Sequence, residues 1–180
     1  WNFTRRDLGT GDVAIEIEFS GVCHSDIHTA RSEWGDITFP CVPGHEIVGR
    51  VSGLGEGASK FQVGQRVGVG VYVDSCRTCK NCLSGMTNYC EEGFTGTYNT
   101  PERSGEGITQ GGYATGIVVN EDYVVSVPES LDPAGAAPLL CAGITLYSPL
   151  KEFGAGPGVK VGGISFLDRS VIPRLTSPTA

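Results

Sequence analysis

The chain has 180 residues, a net charge of −7 and 39 % hydrophobic residues, which is ample for one domain around a single core. An acidic balance without clustered Lys and Arg excludes a nucleic-acid-binding surface, and no apolar run approaches the ~20 residues of a membrane span. Twenty-seven glycines favour short strands and tight turns over long helices, because glycine weakens helix interiors.

The chain opens at Trp1 and its only methionine is Met86, so it reads as a piece cut from a longer chain, with no targeting segment visible. Asp12 to Phe19 alternates, with Val13, Ile15, Ile17 and Phe19 on one face and Ala14, Glu16 and Glu18 on the other; this predicts a half-buried strand. Ser20-Gly21 turns the chain into a short helix through about Ser32, capped by Ser25 or Asp26. Pro40 and Pro43 bracket an extended segment that delivers Gly44-His45-Glu46. Glu46 to Leu54 reads as a strand, Gly55-Glu56-Gly57 as a turn, and Gln65 to Val73 as one further strand. A cysteine lobe follows from Asp74 to about Phe94, then a polar loop from Thr95 to Gln110, then strands over Tyr113 to Asn120 and Tyr123 to Val127. Asp132-Pro133 predicts a helix start, with an aspartate cap and proline at the first helical position. Ala134 to Leu150 reads as two short helices or one kinked at Pro138. Gly154 closes that region, and Val159-Lys160-Val161 looks like the opening of a new strand. Many short strands at this spacing predict a mainly β barrel or sandwich.

Cys76, Cys79, Cys82 and Cys90 are spaced C-x2-C-x2-C-x7-C. That spacing can place four thiolates at the corners of a tetrahedron, the arrangement of a closed structural zinc site. A ferredoxin run has a shorter last gap and a following proline, whereas Glu91 follows Cys90. A disulfide framework or a C-x-x-C redox pair is the other reading of these cysteines. Seven cysteines, an odd number, alongside plausible metal ligands point to a reducing, cytoplasmic setting. Cys23, His45 and Cys141 fit a second, catalytic zinc set of two cysteines and one histidine with one open position. Taken singly each has a plainer reading: Cys141 as a small buried hydrophobe, His45 as a structural hydrogen-bonding residue. Their long intervals leave the set unassembled by spacing alone, and Cys41, between two prolines, has no matching partner.

Four stretches in order, Gly21-Val22-Cys23-His24-Ser25-Asp26, Pro43-Gly44-His45-Glu46, the four-cysteine lobe and Leu140-Cys141-Ala142-Gly143-Ile144-Thr145, resemble the zinc-containing medium-chain alcohol dehydrogenases. Cys23-His24-Ser25-Asp26, Arg31-Ser32-Glu33-Trp34-Gly35 and Tyr89-Cys90-Glu91-Glu92-Gly93 are most similar to the cinnamyl-alcohol-dehydrogenase-like, NADP-dependent aldehyde reductases. The resemblance runs from about Phe3 to Gly163. It implies a GroES-like partial barrel over residues 1–150 with a zinc lobe at 74–94. It also implies reversible hydride transfer between NADP(H) and a small primary alcohol or aldehyde, with zinc polarising the substrate oxygen.

Position by position, the resemblance assigns Cys23, His45 and Cys141 to the catalytic zinc, with Glu46 as an alternate ligand. Asp26 would orient the ligand imidazole, although it serves equally well as a helix cap. Ser25 would hydrogen-bond the substrate oxygen, and His28 would continue a proton relay or simply occupy a solvated helix face. His24 would lie near the cofactor pyrophosphate, Thr145 near the nicotinamide, and Trp34 in the pocket wall. A homo-oligomer is compatible with the same resemblance.

The chain departs from the family pattern at its end. Residues 151–163 read as the start of a nucleotide-binding domain, but no glycine follows Gly163, where a dinucleotide-binding turn needs one. Residues 164–180 read as a divergent, poorly ordered tail, with the Rossmann domain absent. Two other readings remain: a non-catalytic zinc-binding truncation product able to associate with intact subunits, and a thiol redox protein using Cys76/Cys79 or Cys79/Cys82.

Overall fold

A computed structural model describes residues 1–103, 105 and 107–162; Gly163 and the tail expected to diverge lie outside the described residues. The main sheet has five antiparallel strands: β1 (Asp12–Ser20), β2 (Ile47–Leu54), β3 (Arg66–Val69), β6 (Gly116–Asn120) and β7 (Val124–Ser126), in the order β6-β1-β2-β3-β7. A two-stranded ribbon of β4 (Tyr72–Asp74) and β5 (Thr95–Gly96) carries the cysteine lobe between its strands. The described residues also form four short α-helices: α1 (His24–Ala30), α2 (Lys80–Leu83), α3 (Pro133–Ala136) and α4 (Ala142–Glu152), with a 3-10 turn at Ala137–Leu140 joining the last two. Among the described residues no helix is long and apolar enough to cross a membrane.

Alternation along the strands builds the core. Val13 and Ile15 of β1, Ile47 and Val51 of β2, Val67 and Val69 of β3, and Ile117 and Val119 of β6 are all buried in one cluster. Each such side chain contributes roughly 1.5–3 kcal/mol when fully buried, so this cluster dominates the fold. A smaller core lies around Val48 and Val127, where Ala136, Ala137 and Leu140 pack. Gly68 pairs with Val48 across the ladder. A Cβ on Gly68 would sit 2.8 Å from a Leu140 methyl, and one on Gly70 would sit 2.9 Å from the Leu140 carbonyl. These two bare positions are what let the Ala137–Leu140 turn lie directly on β3.

Several expectations need correction. Phe19 is 42 % exposed rather than core, because the β1–β2 register shifts between Ile17 and Phe19 and such a bulge reverses the facing of the residues beyond it. The strand expected from Gln65 to Val73 breaks at Gly70-Val71, where the Gly70 carbonyl accepts from Thr97 Oγ1 and the Val71 carbonyl from Thr97 N at 3.0 Å. The 95–110 segment is not simply a loop: it holds β5 and a Pro101–Ile108 bridge, with Thr95, Thr97 and Thr109 buried as β-branched residues prefer. The α1 cap is Cys23, not Ser25 or Asp26; Asp26 sits three residues in, and its Oδ2 accepts from Cys23 N at 2.9 Å. Val159 to Val161 forms no strand among the described residues, where no other chain segment pairs with it. At the other end of this region the expectation holds: Asp132 accepts from Gly135 N at 2.8 Å with Pro133 beginning α3, and Gly154 closes α4 with φ +68°.

Candidate metal centres

Cys76, Cys79, Cys82 and Cys90 bring their sulfurs within 4.8 Å of one another. The local turns supply more than proximity. Cys79 N donates to Cys76 Sγ at 3.3 Å, Cys82 N to Cys79 Sγ at 3.5 Å, and Cys76 N to Cys90 Sγ at 3.4 Å. Such donors favour the thiolate, and the amides of Cys79 and Thr78 bring Cys76 down to about 6. Ser75 links the lobe to the core, its hydroxyl 3.2 Å from Cys82 Sγ and 2.6 Å from the Tyr123 hydroxyl.

The second cluster is assembled from three places in the chain. Cys23 caps α1, His45 and Glu46 lead into β2, and Cys141 follows the turn docked on β3; their ligand atoms also lie within 4.8 Å of one another. The Cys23 and Cys141 sulfurs are 3.9 Å apart, although the residues are 118 positions apart in sequence. All seven cysteines are free, and Cys41 belongs to neither cluster.

The segment bearing His45 is held on a short backbone ladder: Gly111 N donates to the Val42 carbonyl at 2.6 Å, Gly112 N to Gly44 at 2.8 Å and Tyr113 N to Pro43 at 3.0 Å. Gly44 takes φ +100°, a left-handed conformation that side chains resist, and a Cβ there would also press on the Tyr113 ring. Its N–H donates to Asp26 Oδ1 at 3.0 Å, and the same oxygen lies 3.4 Å from His45 Nδ1. Asp26 is thus a buried carboxylate shared among Cys23, Gly44, His45 and Tyr113. Burial works to raise its pKa, but hydrogen bonds from His45, Cys23 N, Tyr113 and Gly44 N bring it to about 2.

The other charges of the cluster depend on one another. Burial works against the charged imidazole of His45, yet Asp26 and Cys23 raise it to about 9. The Cys141 thiol donating to Cys23, with His45 beside it, draws Cys23 down to about 3, and Cys141 is pushed up in return. Burial and the charge on Cys23 raise Glu46 to about 7.

His45 Nε2 is buried and, among the described residues, has no hydrogen-bond partner. A buried polar atom left unpaired costs about 1–3 kcal/mol, and here its neighbours are the Cys23 and Cys141 sulfurs and the Glu46 carboxyl. Two sulfurs and one imidazole fit zinc with three protein ligands and one open position; four thiols fit a closed site. Both donor sets therefore suit the metal.

The remaining residues singled out in sequence sit along α1 and at the start of α4. Ser25 Oγ is 3.5 Å from Cys23 Sγ. His28 is hydrogen-bonded through Nδ1 to Glu33, and its ring stacks on Trp34 with centroids 4.6 Å apart. The His24 ring lies 4.8 Å from that of His28. Thr145 is exposed one helical turn beyond Cys141, its N–H donating to the Cys141 carbonyl at 3.1 Å. Sequence reasoning passed over Tyr113, bonded to Asp26, and Tyr98, whose ring centroid lies 5.7 Å from that of His45. In sequence Tyr113 stands merely at the opening of an expected strand, after Gly111-Gly112, with nothing to mark its contact with Asp26.

The fold and these clusters define a mainly β domain with two groups of residues that could hold a metal, one of four cysteines and one of Cys23, His45, Glu46 and Cys141. Residues 9–129 match the alcohol dehydrogenase GroES-like domain, and the chain belongs to that family. It is 56 % identical over 162 residues to NADP-dependent alcohol dehydrogenase C 1 of Mycolicibacterium smegmatis, covering 89 % of this chain and 46 % of that protein. Aldehyde reductase YahK of Escherichia coli is 54 % identical over 162 residues, with the same coverage. Among solved structures, CAD from Helicobacter pylori complexed with NADP(H) superposes with a TM-score of 0.84 at 44 % identity, covering 88 % of this chain and 46 % of that one. The chain thus spans a little under half the length of the curated relatives it matches.

Proposed function

We propose that the protein is a zinc-dependent oxidoreductase that transfers hydride reversibly between a primary alcohol or aldehyde and NADP(H). This chain would supply the metal-binding half of its site. The observation that carries the reading is the buried His45 Nε2, without a partner among the described residues, beside the Cys23 and Cys141 sulfurs. NADP(H) and the alcohol or aldehyde class come from what the similar proteins are named for.

Cys23, His45 and Cys141 would hold the catalytic zinc, with Glu46 able to take a ligand position, and Cys76, Cys79, Cys82 and Cys90 would hold a structural one. Zinc in the open set supplies Lewis-acid polarisation of the substrate oxygen. The chain's own groups do the rest. Ser25, beside Cys23, orients the substrate hydroxyl and passes its proton. His28, partly exposed and anchored by Glu33, carries that proton to solvent. Trp34, stacked on His28, walls the approach to the site. His24 and Thr145, both exposed, are available to the cofactor. Seven free thiols suit a reducing, cytoplasmic setting.

The test is a graft of residues 9–162 in place of the matching half of YahK. The zinc-loaded graft should oxidise NADPH with aromatic or aliphatic aldehydes, and Cys23→Ser should abolish turnover. A soluble graft with both zinc sites filled and no turnover would overturn the reading.

A further inference from the structure

Tyr113 is 87 residues from Asp26 in sequence, yet its hydroxyl lies 2.8 Å from Asp26 Oδ2 and 3.2 Å from the Gly21 carbonyl. A phenol has one proton to give, and the carboxylate is the stronger acceptor because the bond is charge-assisted. The two carboxylate oxygens then have distinct jobs. Oδ2 is fixed from two directions, by Tyr113 and by Cys23 N at 2.9 Å. Oδ1 accepts from Gly44 N at 3.0 Å and faces His45 Nδ1 at 3.4 Å.

The backbone around Tyr113 is itself anchored. Arg5 holds this stretch through three carbonyls, with Nε donating to Gly116 at 2.8 Å, Nη2 to Gly111 at 2.7 Å and Nη1 to Gln110. Gly111, Gly112 and Tyr113 in turn form the ladder that carries residues 42–44. One short segment therefore grips the chain on both sides of the imidazole: by backbone just before His45, and by the Tyr113 hydroxyl through Asp26.

We infer that Tyr113 is a positioning residue for the metal site: its hydroxyl fixes the plane of the Asp26 carboxylate, which fixes the His45 ring with Nε2 toward the Cys23 and Cys141 sulfurs. The inference rests on the zinc reading of that cluster. Partners that orient a ligand imidazole typically contribute about 10–100-fold to metal affinity. Tyr113→Phe removes the oxygen alone and leaves the ring against Gly44.

The experiment measures zinc affinity by chelator competition on the full chain, in the wild type, Tyr113→Phe, Asp26→Asn and the double variant. Cobalt substitution supplies an independent spectroscopic reading of the open site. Tyr113→Phe should weaken zinc at the Cys23/His45/Cys141 set about 10–100-fold and shift the cobalt spectrum, while leaving the lobe zinc in place. The double variant should bind no more weakly than Asp26→Asn, because the hydroxyl acts only through that carboxylate. Wild-type affinity in Tyr113→Phe, or losses that add in the double variant, would overturn the inference. Loss of the lobe zinc in Tyr113→Phe would overturn it too, since the hydroxyl would then be holding the fold and not the site. A wild-type chain that holds only the lobe zinc would instead overturn the zinc reading itself, so the two failures are told apart.

Discussion

Gly68→Ala tests how Cys141 reaches the metal cluster. The added Cβ would lie 2.8 and 3.0 Å from the two Leu140 methyls and 3.2 Å from Val127 Cγ2. Contacts that close oblige the Leu140 side chain, or the turn that bears it, to shift off β3, and overpacking of this kind costs about 1–3 kcal/mol. Cys141 is the next residue after that turn, so the strain reaches a residue proposed to ligate the metal. If about 1.4 kcal/mol of it opposes metal binding, affinity at the Cys23/His45/Cys141 set falls about tenfold. The four-cysteine lobe is formed from a separate stretch of chain and should keep its zinc. Gly53→Ala is the control on the same sheet, because its Cβ would meet neighbours only at 3.4 and 3.6 Å, ordinary packing distances. The assay is chelator competition alongside thermal unfolding for both variants. Wild-type affinity at the open set in a Gly68→Ala chain that is nonetheless destabilised would refute the claim that docking on β3 places Cys141.

Two further outcomes can be checked. Cys79→Ser should lose one zinc per chain and open the 74–94 region to proteolysis, because structural zinc contributes folding energy directly; mass spectrometry of the intact and clipped chain reads both effects, and a protease-resistant lobe would count against it. Asp12 is buried, which works to raise its pKa, but Arg6 and the Gly9 N–H at 2.7 Å hold it below the ordinary carboxylate value. Its contribution to stability is therefore whole above the unfolded-chain value of about 3.9 and drains away as pH falls through the lower folded value. Asp12→Asn should cost about 1–3 kcal/mol at neutral pH and lose part of the acid dependence seen in denaturant titrations, whereas an unchanged acid limb would mean that Arg6 does not hold the carboxylate.

How much of the molecule is legible in its sequence depends on how local each feature is. The four lobe cysteines fall within one short stretch and are oriented by amides inside it, so spacing alone is enough to expect their sulfurs to cluster. The open set depends on contacts made far along the chain. Cys141 needs Gly68 and Gly70 bare beneath Leu140, and His45 needs the ladder to Gly111–Tyr113. Neither dependence leaves a periodic trace, and only resemblance joined Cys23 to Cys141. Strand alternation found β1, but the bulge that turns Phe19 outward is a matter of register with β2, which one strand cannot reveal. The break at Gly70-Val71 likewise depends on Thr97, a residue in a segment that looked like plain loop.

The measurement that bears most directly on the two-site reading is the zinc content of the purified chain, with single ligand changes. Two zinc ions per chain are expected. His45→Ala or Cys141→Ser should leave one, held by the lobe, while Cys79→Ser should leave the other. A folded wild-type chain that binds a single zinc, unaffected by changes at His45 and Cys141, would contradict it.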